Sequence, residues 1–145
     1  LNIDPAATFL DLAGQPVPTA IQGRSWKPLM EGRDDAAWRD SFFYCYFYEK
    51  NFGSPMTTAV RTADAKLIKY PGHDEWTEVF DLKVDPYEIK NLAADPAYAD
   101  LRKKLEAEYD KQAKAIDFKI PDYADKPAAD GQEGTKKKAG KKKAK

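Results

Sequence analysis

The residues predict an α+β domain, an antiparallel sheet of about four strands with one long helix packed across it. Two observations carry that prediction. An aromatic run at residues 41–48 is followed by three more short segments of strand-like composition, each closed by turn residues. Beyond them, Tyr98, Leu101, Leu105, Tyr109, Ala113 and Ile116 recur at helical spacing and form one apolar stripe.

Each element has a local reason. Asp4-Pro5 predicts a helix start, with Asp4 as the N-cap and Pro5 at the first helical position, where its missing N–H costs nothing. Phe9, Leu10, Leu12 and Ala13 follow, and Gly14 suits a left-handed terminating residue, so residues 5–13 read as a short, largely buried helix. Residues 15–32 hold Pro16, Pro18, Pro28, Gly23 and Gly32 and read as an ordered loop, with Ile21, Trp26, Leu29 and Met30 available for packing. The aromatic run 41–48 predicts a strand covered on both faces. After a loop at 51–55, strands are expected at 57–62, 66–70 and 77–82, separated by Asp64 and by the turn Pro71-Gly72-His73-Asp74 and closed by Asp85-Pro86. Asp95-Pro96 repeats the earlier helix start and opens the long helix 96–116. Lys104/Glu108 and Asp110/Lys114 are expected as i,i+4 pairs on its wet face, worth ~0.3 kcal/mol each.

Composition excludes several function classes. In 145 residues, 24 Lys and Arg balance 24 Asp and Glu, but unevenly. Residues 126–145 carry eight Lys against Asp130 and Glu133, a net of +6, which leaves residues 1–125 at −6. The single cysteine, Cys45, excludes an intramolecular disulfide framework and a multi-cysteine zinc site. The single histidine, His73, excludes a His-rich metal centre and any Ser-His or Cys-His machinery that does not use it. No apolar run approaches the ~18 residues of a membrane span. The opening Leu1-Asn2-Ile3 has neither Met nor a signal-like region and leads directly into helical sequence, which reads as the C-terminal piece of a longer protein.

Four segments, in order, resemble the type I sulfatases. Asn2-Ile3-Asp4-Pro5-Ala6-Ala7-Thr8-Phe9-Leu10-Asp11-Leu12-Ala13-Gly14 is similar to the family's D-(x)-A-P-T-(L)-L-(D)-L-A-G, with Pro5 and Ala6 exchanged. Gln22-Gly23-Arg24-Ser25-Trp26-Lys27-Pro28-Leu29 looks like G-x-S-L-x-P-L, with Trp26 in place of Leu. Val60-Arg61-Thr62 with Lys66-Leu67-Ile68-Lys69-Tyr70 resembles the R-T-(x)-x-K-y-I-x-Y hairpin. Phe80-Asp81-Leu82-Lys83-Val84-Asp85-Pro86-Tyr87-Glu88-Ile89-Lys90-Asn91-Leu92 resembles Y-D-L-x-x-D-P-x-E-x-x-N-L.

The resemblance implies the small C-terminal subdomain of an alkaline-phosphatase-like α/β fold. It divides the chain into 1–32, the end of the main sulfatase domain, 33–120, the C-terminal subdomain, and 121–145, a Lys-rich tail expected to be disordered. Residues 44–49 and His73-Asp74-Glu75-Trp76 look closest to carbohydrate sulfatases, including those acting on 6-sulfated N-acetylglucosamine. Such enzymes use a formylglycine made within C/S-x-P-x-R and a carboxylate cluster that holds calcium. The resemblance implies that both lie upstream of the segment resembled by residues 2–14, and Cys45 is not the formylglycine precursor, because Phe47 and Glu49 stand where Pro and Arg would be needed. The chain alone is therefore expected to be inactive, with no catalytic and no metal-ligating residue of its own. The upstream catalytic domain is its implied partner, and export to the periplasm or medium its implied location.

Three side chains are candidate substrate contacts. His73 lies in a turn between strands, where its imidazole can hydrogen-bond a sugar hydroxyl or a sulfate; the alternative is a solvent-exposed loop histidine. Trp76 can stack on a sugar ring and Glu75, beside Asp74, can bind hydroxyls; packing of Trp76 in the sheet, with the acids in water, is the preferred alternative. Glu49 and Lys50 are weaker rim candidates. Asp81, Asp85 and Glu88 lack the spacing of a calcium loop and read as a turn. Arg61 reads as half of an intrachain ion pair and the aromatic strand as core.

Function at this point reads as hydrolysis of sulfate esters, on a sulfated carbohydrate. Two alternatives stay open. One is a phosphatase or phosphodiesterase of the same superfamily. The other is a non-catalytic module that binds polyanions weakly through the Lys-rich tail, which without arginine, aromatics or structure has no means of sequence readout.

Overall fold

The computed structural model describes residues 1–33, 38–47 and 54–121. The expected strand end at Tyr48, the rim candidates Glu49 and Lys50, most of the 51–55 loop and the Lys-rich tail lie outside the described residues. The chain divides into two compact units, Leu1–Arg39 and Asp40–Lys145.

The first unit contains α1 (Asp4–Leu12) and the short α2 (Lys27–Met30). It corrects three expectations. Residues 15–32 are not all loop, since α2 forms one turn with Pro28 near its start. Ile3 rather than Asp4 is the N-cap of α1, and Asp4 is the first helical residue. The Asp4 carboxylate is fully buried and makes no capping hydrogen bond to the helix; it accepts from the Arg24 backbone N–H (2.9 Å), from Trp26 Nε1 (3.3 Å) and from both terminal nitrogens of Arg39 (2.6 and 2.8 Å). The forked guanidinium matches a carboxylate in geometry and charge, and its hydrogen bonds hold the Asp4 carboxyl well below the usual carboxylate range against the opposing effect of burial. The third correction concerns burial. Asp4, Ala7 and Thr8 form the buried stripe of α1, whereas Phe9 and Leu12 are exposed. Gly14 does terminate the helix in the left-handed region, at φ +67°.

The second unit is a four-stranded antiparallel sheet of order β1-β2-β3-β4, made of β1 (Ser41–Tyr46), β2 (Thr57–Thr62), β3 (Ala65–Lys69) and β4 (Glu78–Asp81). A 3-10 turn at Pro96–Tyr98 leads into α3 (Ala99–Ala115). Asp95 accepts a hydrogen bond from the Ala97 N–H at 3.0 Å, so the second Asp-Pro pair caps as expected.

Register fixes which residues face the helix. Phe43 pairs with Val60, Val60 with Leu67, and Leu67 with Val79, which places these four on one face. Val60, Leu67 and Val79 are completely buried and pack with Ala65, Leu92 and Leu105, flanked by Tyr98, Leu101 and Tyr109. Removing a side chain such as Leu67 from water is worth about 1.5–3 kcal/mol. Polar groups on this face are paired across to α3. Ser41 Oγ donates to Glu108 at 2.6 Å and Tyr109 Oη to Thr58 Oγ1 at 2.9 Å. Glu108 therefore faces the sheet and not the wet side. It takes hydrogen bonds from Ser41, Gln112 and Lys111 in place of the expected Lys104, and together these lower its carboxyl to about 2. Among the described residues, α3 forms an i,i+4 ion pair between Arg102 and Glu106 at 3.0 Å.

The opposite face carries Phe42, Tyr44, Thr57, Ala59, Arg61, Lys66 and Ile68. Strand β1 lies at the sheet edge and is not covered on both faces: Phe43 packs on Tyr109 and Phe118, with ring centroids 5.1 and 4.9 Å away, while Tyr44 is half exposed. Among the described elements it is α3 that packs on the sheet, and it takes the Phe43 side.

Candidate functional site

The candidate site is the β3–β4 connection, residues 71–77, and its geometry follows from local chemistry. Tyr70 directly follows β3 and Pro71-Gly72 reverses the chain, with Gly72 at φ +89°, a conformation that a side chain would disfavour. The His73 N–H donates to Tyr70 O at 2.8 Å, which closes the turn. Residues Asp74–Trp76 then form a 3-10 turn, in which Trp76 N–H donates to His73 O at 3.0 Å. Asp74 O accepts from both the N–H (3.2 Å) and the hydroxyl (2.7 Å) of Thr77.

Asn91 fastens the far end. Its amide nitrogen donates to Thr77 O at 3.1 Å while its oxygen accepts from Val79 N–H at 3.0 Å and Ala93 N–H at 2.9 Å. Together with Leu92 N–H donating to Val79 O at 2.8 Å, this extends the pairing of the edge strand β4 and gives the Asn91-Leu92 pair a structural role.

On this frame the side chains converge. The imidazole of His73 lies flat on the Trp76 indole, with centroids 3.9 Å apart and planes 5° from parallel. Tyr70 stands edge-on to the same indole at 5.8 Å and 75°, and its hydroxyl donates to Glu78 at 3.0 Å. Burial, reinforced by Glu78, pushes the Tyr70 phenol up, so the hydroxyl stays a donor. His73 Nδ1 is 3.4 Å from Glu75 Oε1. Nε2, on the other edge of the ring, is open to solvent and has no partner among the described residues.

All three predicted contacts, His73, Trp76 and Glu75, thus occupy one turn. Trp76 does not pack into the sheet, being 45% exposed on the 3-10 turn. The sequence reading missed Tyr70 and Glu78, which brace the indole from the strand ends. The available signal was their position, one residue outside each end of the turn.

The remaining candidates separate from this site. Among the described residues Arg61 has no carboxylate partner, contrary to the ion pair expected of it. It lines a shallow cleft of about 250 Å³ on the open sheet face with Phe42, Tyr44, Thr57, Ala59, Lys66 and Ile68. Asp81, Asp85 and Glu88 point to different partners, the Lys83 N–H (3.0 Å), the Lys90 N–H (2.8 Å) and the Lys66 ammonium respectively. No three His, Cys, Asp or Glu side chains among the described residues are grouped so as to hold a metal ion. The Cys45 thiol is pushed up by burial, opposite to the shift an activated nucleophile requires. These residues do not fit a formylglycine or calcium centre. No helix among them is long and apolar enough to cross a membrane.

The chain is 42% identical over 109 residues to an N-acetylglucosamine-6-O-sulfatase of Bacteroides thetaiotaomicron, a match covering 72% of this chain and 19% of that protein. It is 31% identical over 110 residues to the multifunctional alkaline phosphatase superfamily protein PehA of Trinickia caryophylli, covering 69% of this chain and 21% of that one. Among solved structures, BT4656 in complex with its substrate D-glucosamine-2-N,6-O-disulfate superposes with a TM-score of 0.76 at 35% identity, over 84% of this chain and 25% of that one. The chain thus spans about a fifth of the length of the curated relatives it matches. The family model for the C-terminal region of N-sulphoglucosamine sulphohydrolase matches residues 1–115, and the chain belongs to that sulfatase family.

Proposed function

We propose that this chain is the C-terminal subdomain of a carbohydrate sulfatase, of the type that removes the 6-sulfate of N-acetylglucosamine, and that its 71–77 turn borders the sugar-binding pocket. The observation that carries the reading is the His73–Trp76 stack, a fixed imidazole with an open Nε2 beside exposed carboxylates. Sugar hydroxyls are recognised by such convergent donors and acceptors at an aromatic edge. With Nδ1–H turned to Glu75, a neutral His73 offers the Nε2 lone pair to a sugar hydroxyl, and Glu75 offers a carboxylate oxygen to a second. Similarity to an N-acetylglucosamine-6-O-sulfatase and to a structure holding a sulfated glucosamine supports this substrate class.

In this proposal the formylglycine, the calcium and the groups around the sulfate belong to the catalytic domain that precedes Leu1, and the fragment alone does not turn over. The parent enzyme in this proposal acts in the periplasm or outside the cell.

The test is kinetic and uses the parent enzyme. Sulfate release from 6-sulfated N-acetylglucosamine is the expected main activity; preferential hydrolysis of phosphate or phosphonate esters would overturn it. His73→Ala is expected to lower kcat/KM roughly fivefold to tenfold, the worth of one hydrogen bond. Unchanged kinetics would remove His73 from the pocket. Deleting residues 126–145 is expected to leave turnover unaltered, whereas loss of all function on that deletion would favour a polyanion-binding module.

A further inference from the structure

The same turn assigns a second role, which rests on the reading of His73 as a sugar contact. We infer that Trp76 is a positioning residue: it acts through His73 and not by stacking on the sugar itself. Three features of the geometry carry this. One face of the indole is taken by the imidazole at 3.9 Å and 5°, a separation that leaves no room for a sugar between them. The indole is itself held by the Tyr70 ring edge-on at 5.8 Å, and the backbone that carries it is fixed by the Trp76 main-chain N–H donating to His73 O at 3.0 Å. Tyr70 in turn is tied by its hydroxyl to Glu78 at the start of β4, so the order of support runs from the strand ends through Tyr70 and Trp76 to the imidazole.

A histidine on an exposed turn would otherwise sample several rotamers, and a contact made from one of them is weakened by the fraction of time spent in the others. Flat stacking selects one ring plane. Glu75, 3.4 Å from Nδ1, selects which edge of the ring faces outward. The consequence is an Nε2 presented in one direction before substrate arrives, which is the preorganisation that a specific hydroxyl contact requires.

The chain contains one histidine, so its imidazole can be watched directly by proton NMR in the 145-residue protein. The indole ring current is expected to displace the His73 ring resonances from the positions of an unstructured histidine. Trp76→Leu is expected to return them, and Trp76→Phe, which keeps an aromatic face, to retain part of the displacement. In the parent enzyme Trp76→Leu is expected to lower kcat/KM by about the same fivefold to tenfold as His73→Ala, mainly through KM, with Trp76→Phe recovering most of it. The double variant is expected to be no worse than His73→Ala alone.

Undisplaced histidine resonances in the wild-type chain would overturn the positioning role. A double variant that multiplies the two losses would overturn it as well, by showing that the indole meets the sugar independently. If His73→Ala leaves kinetics unchanged while the resonances shift as described, the sugar contact fails and the stack alone survives. The two failures are thus distinguishable.

Discussion

The two faces of the sheet are built from the same four strands and differ in what covers them. On the α3 side Val60, Leu67 and Val79 are fully buried, and polar groups reach across to the helix: Ser41 to Glu108 and Gln112, Thr58 to Tyr109. On the other side Phe42, Tyr44 and Ile68 share a shallow cleft with Arg61 and Lys66. Both faces are rich in apolar residues, so strand composition alone does not decide burial. Ala59 and Phe80 on the open side are buried as well, but the fully enclosed strand residues Val60, Leu67 and Val79 all lie under the helix, and stability should be concentrated on the face where apolar contacts and polar pairs are both completed.

The largest expected effect breaks the covered face directly. Leu67→Ala empties a position with no solvent exposure and should cost about 2–5 kcal/mol in chemical denaturation. Ile68→Ala, the next residue and on the opposite face, should cost about 1 kcal/mol. Equal losses at the two positions would end the comparison.

Glu108 sharpens it through pH. Hydrogen bonds from Ser41, Gln112 and Lys111 lower its carboxyl from an ordinary value near 4.5 to about 2 in the folded chain. A depressed folded-state value means that the stabilisation is fully present above pH 4.5 and is lost as pH falls through about 2. Glu108→Gln should therefore cost about 1–2 kcal/mol at pH 7 and remove part of the acid destabilisation between those limits, as followed by thermal melts across pH.

These two side chains also mark how much could be read without coordinates. The strand-like composition between turn residues around Leu67 and the apolar stripe that runs through Tyr109 are local signals, and both led to the observed sheet and helix. The Glu108 pairing is not local: its partner Ser41 is 67 residues away, so the i,i+4 rule pointed to Lys104 on the wrong side of the helix. Asp4 failed for the same reason, since Arg39 lies 35 residues on and outcompetes the helix end for the carboxylate. The site shows the reverse pattern. That His73, Glu75 and Trp76 share one turn was legible because a tight turn brings near neighbours together, but the flatness of the imidazole on the indole depends on Tyr70, which entered only as the end of a hairpin motif, and on Glu78, which entered no motif.

A smaller effect is expected at Tyr109→Phe, which removes the hydroxyl that donates to Thr58 Oγ1 but keeps the ring against Phe43. Thr58 retains its own hydrogen bond to Lys69 O at 3.3 Å, so no buried group is left unpaired. The cost should be near 1 kcal/mol, measured as a lower denaturation midpoint with unchanged slope.

The smallest effect belongs to the open face. Arg61 is exposed on β2 and, among the described residues, has no carboxylate to lose, although it lines the cleft beside Phe42 and Tyr44. Arg61→Ala removes a cation whose charge is screened by water and leaves the α3 side untouched, so stability in the isolated chain should change by less than about 0.5 kcal/mol. A loss several times larger would mean that the cleft residues contribute to the fold as the covered face does, and the division between the two faces would have to be redrawn around the cation. A null result keeps the asymmetry and makes the same substitution in the parent enzyme informative, because any loss of stability or activity that appears only there must arise from what this face meets in the longer protein.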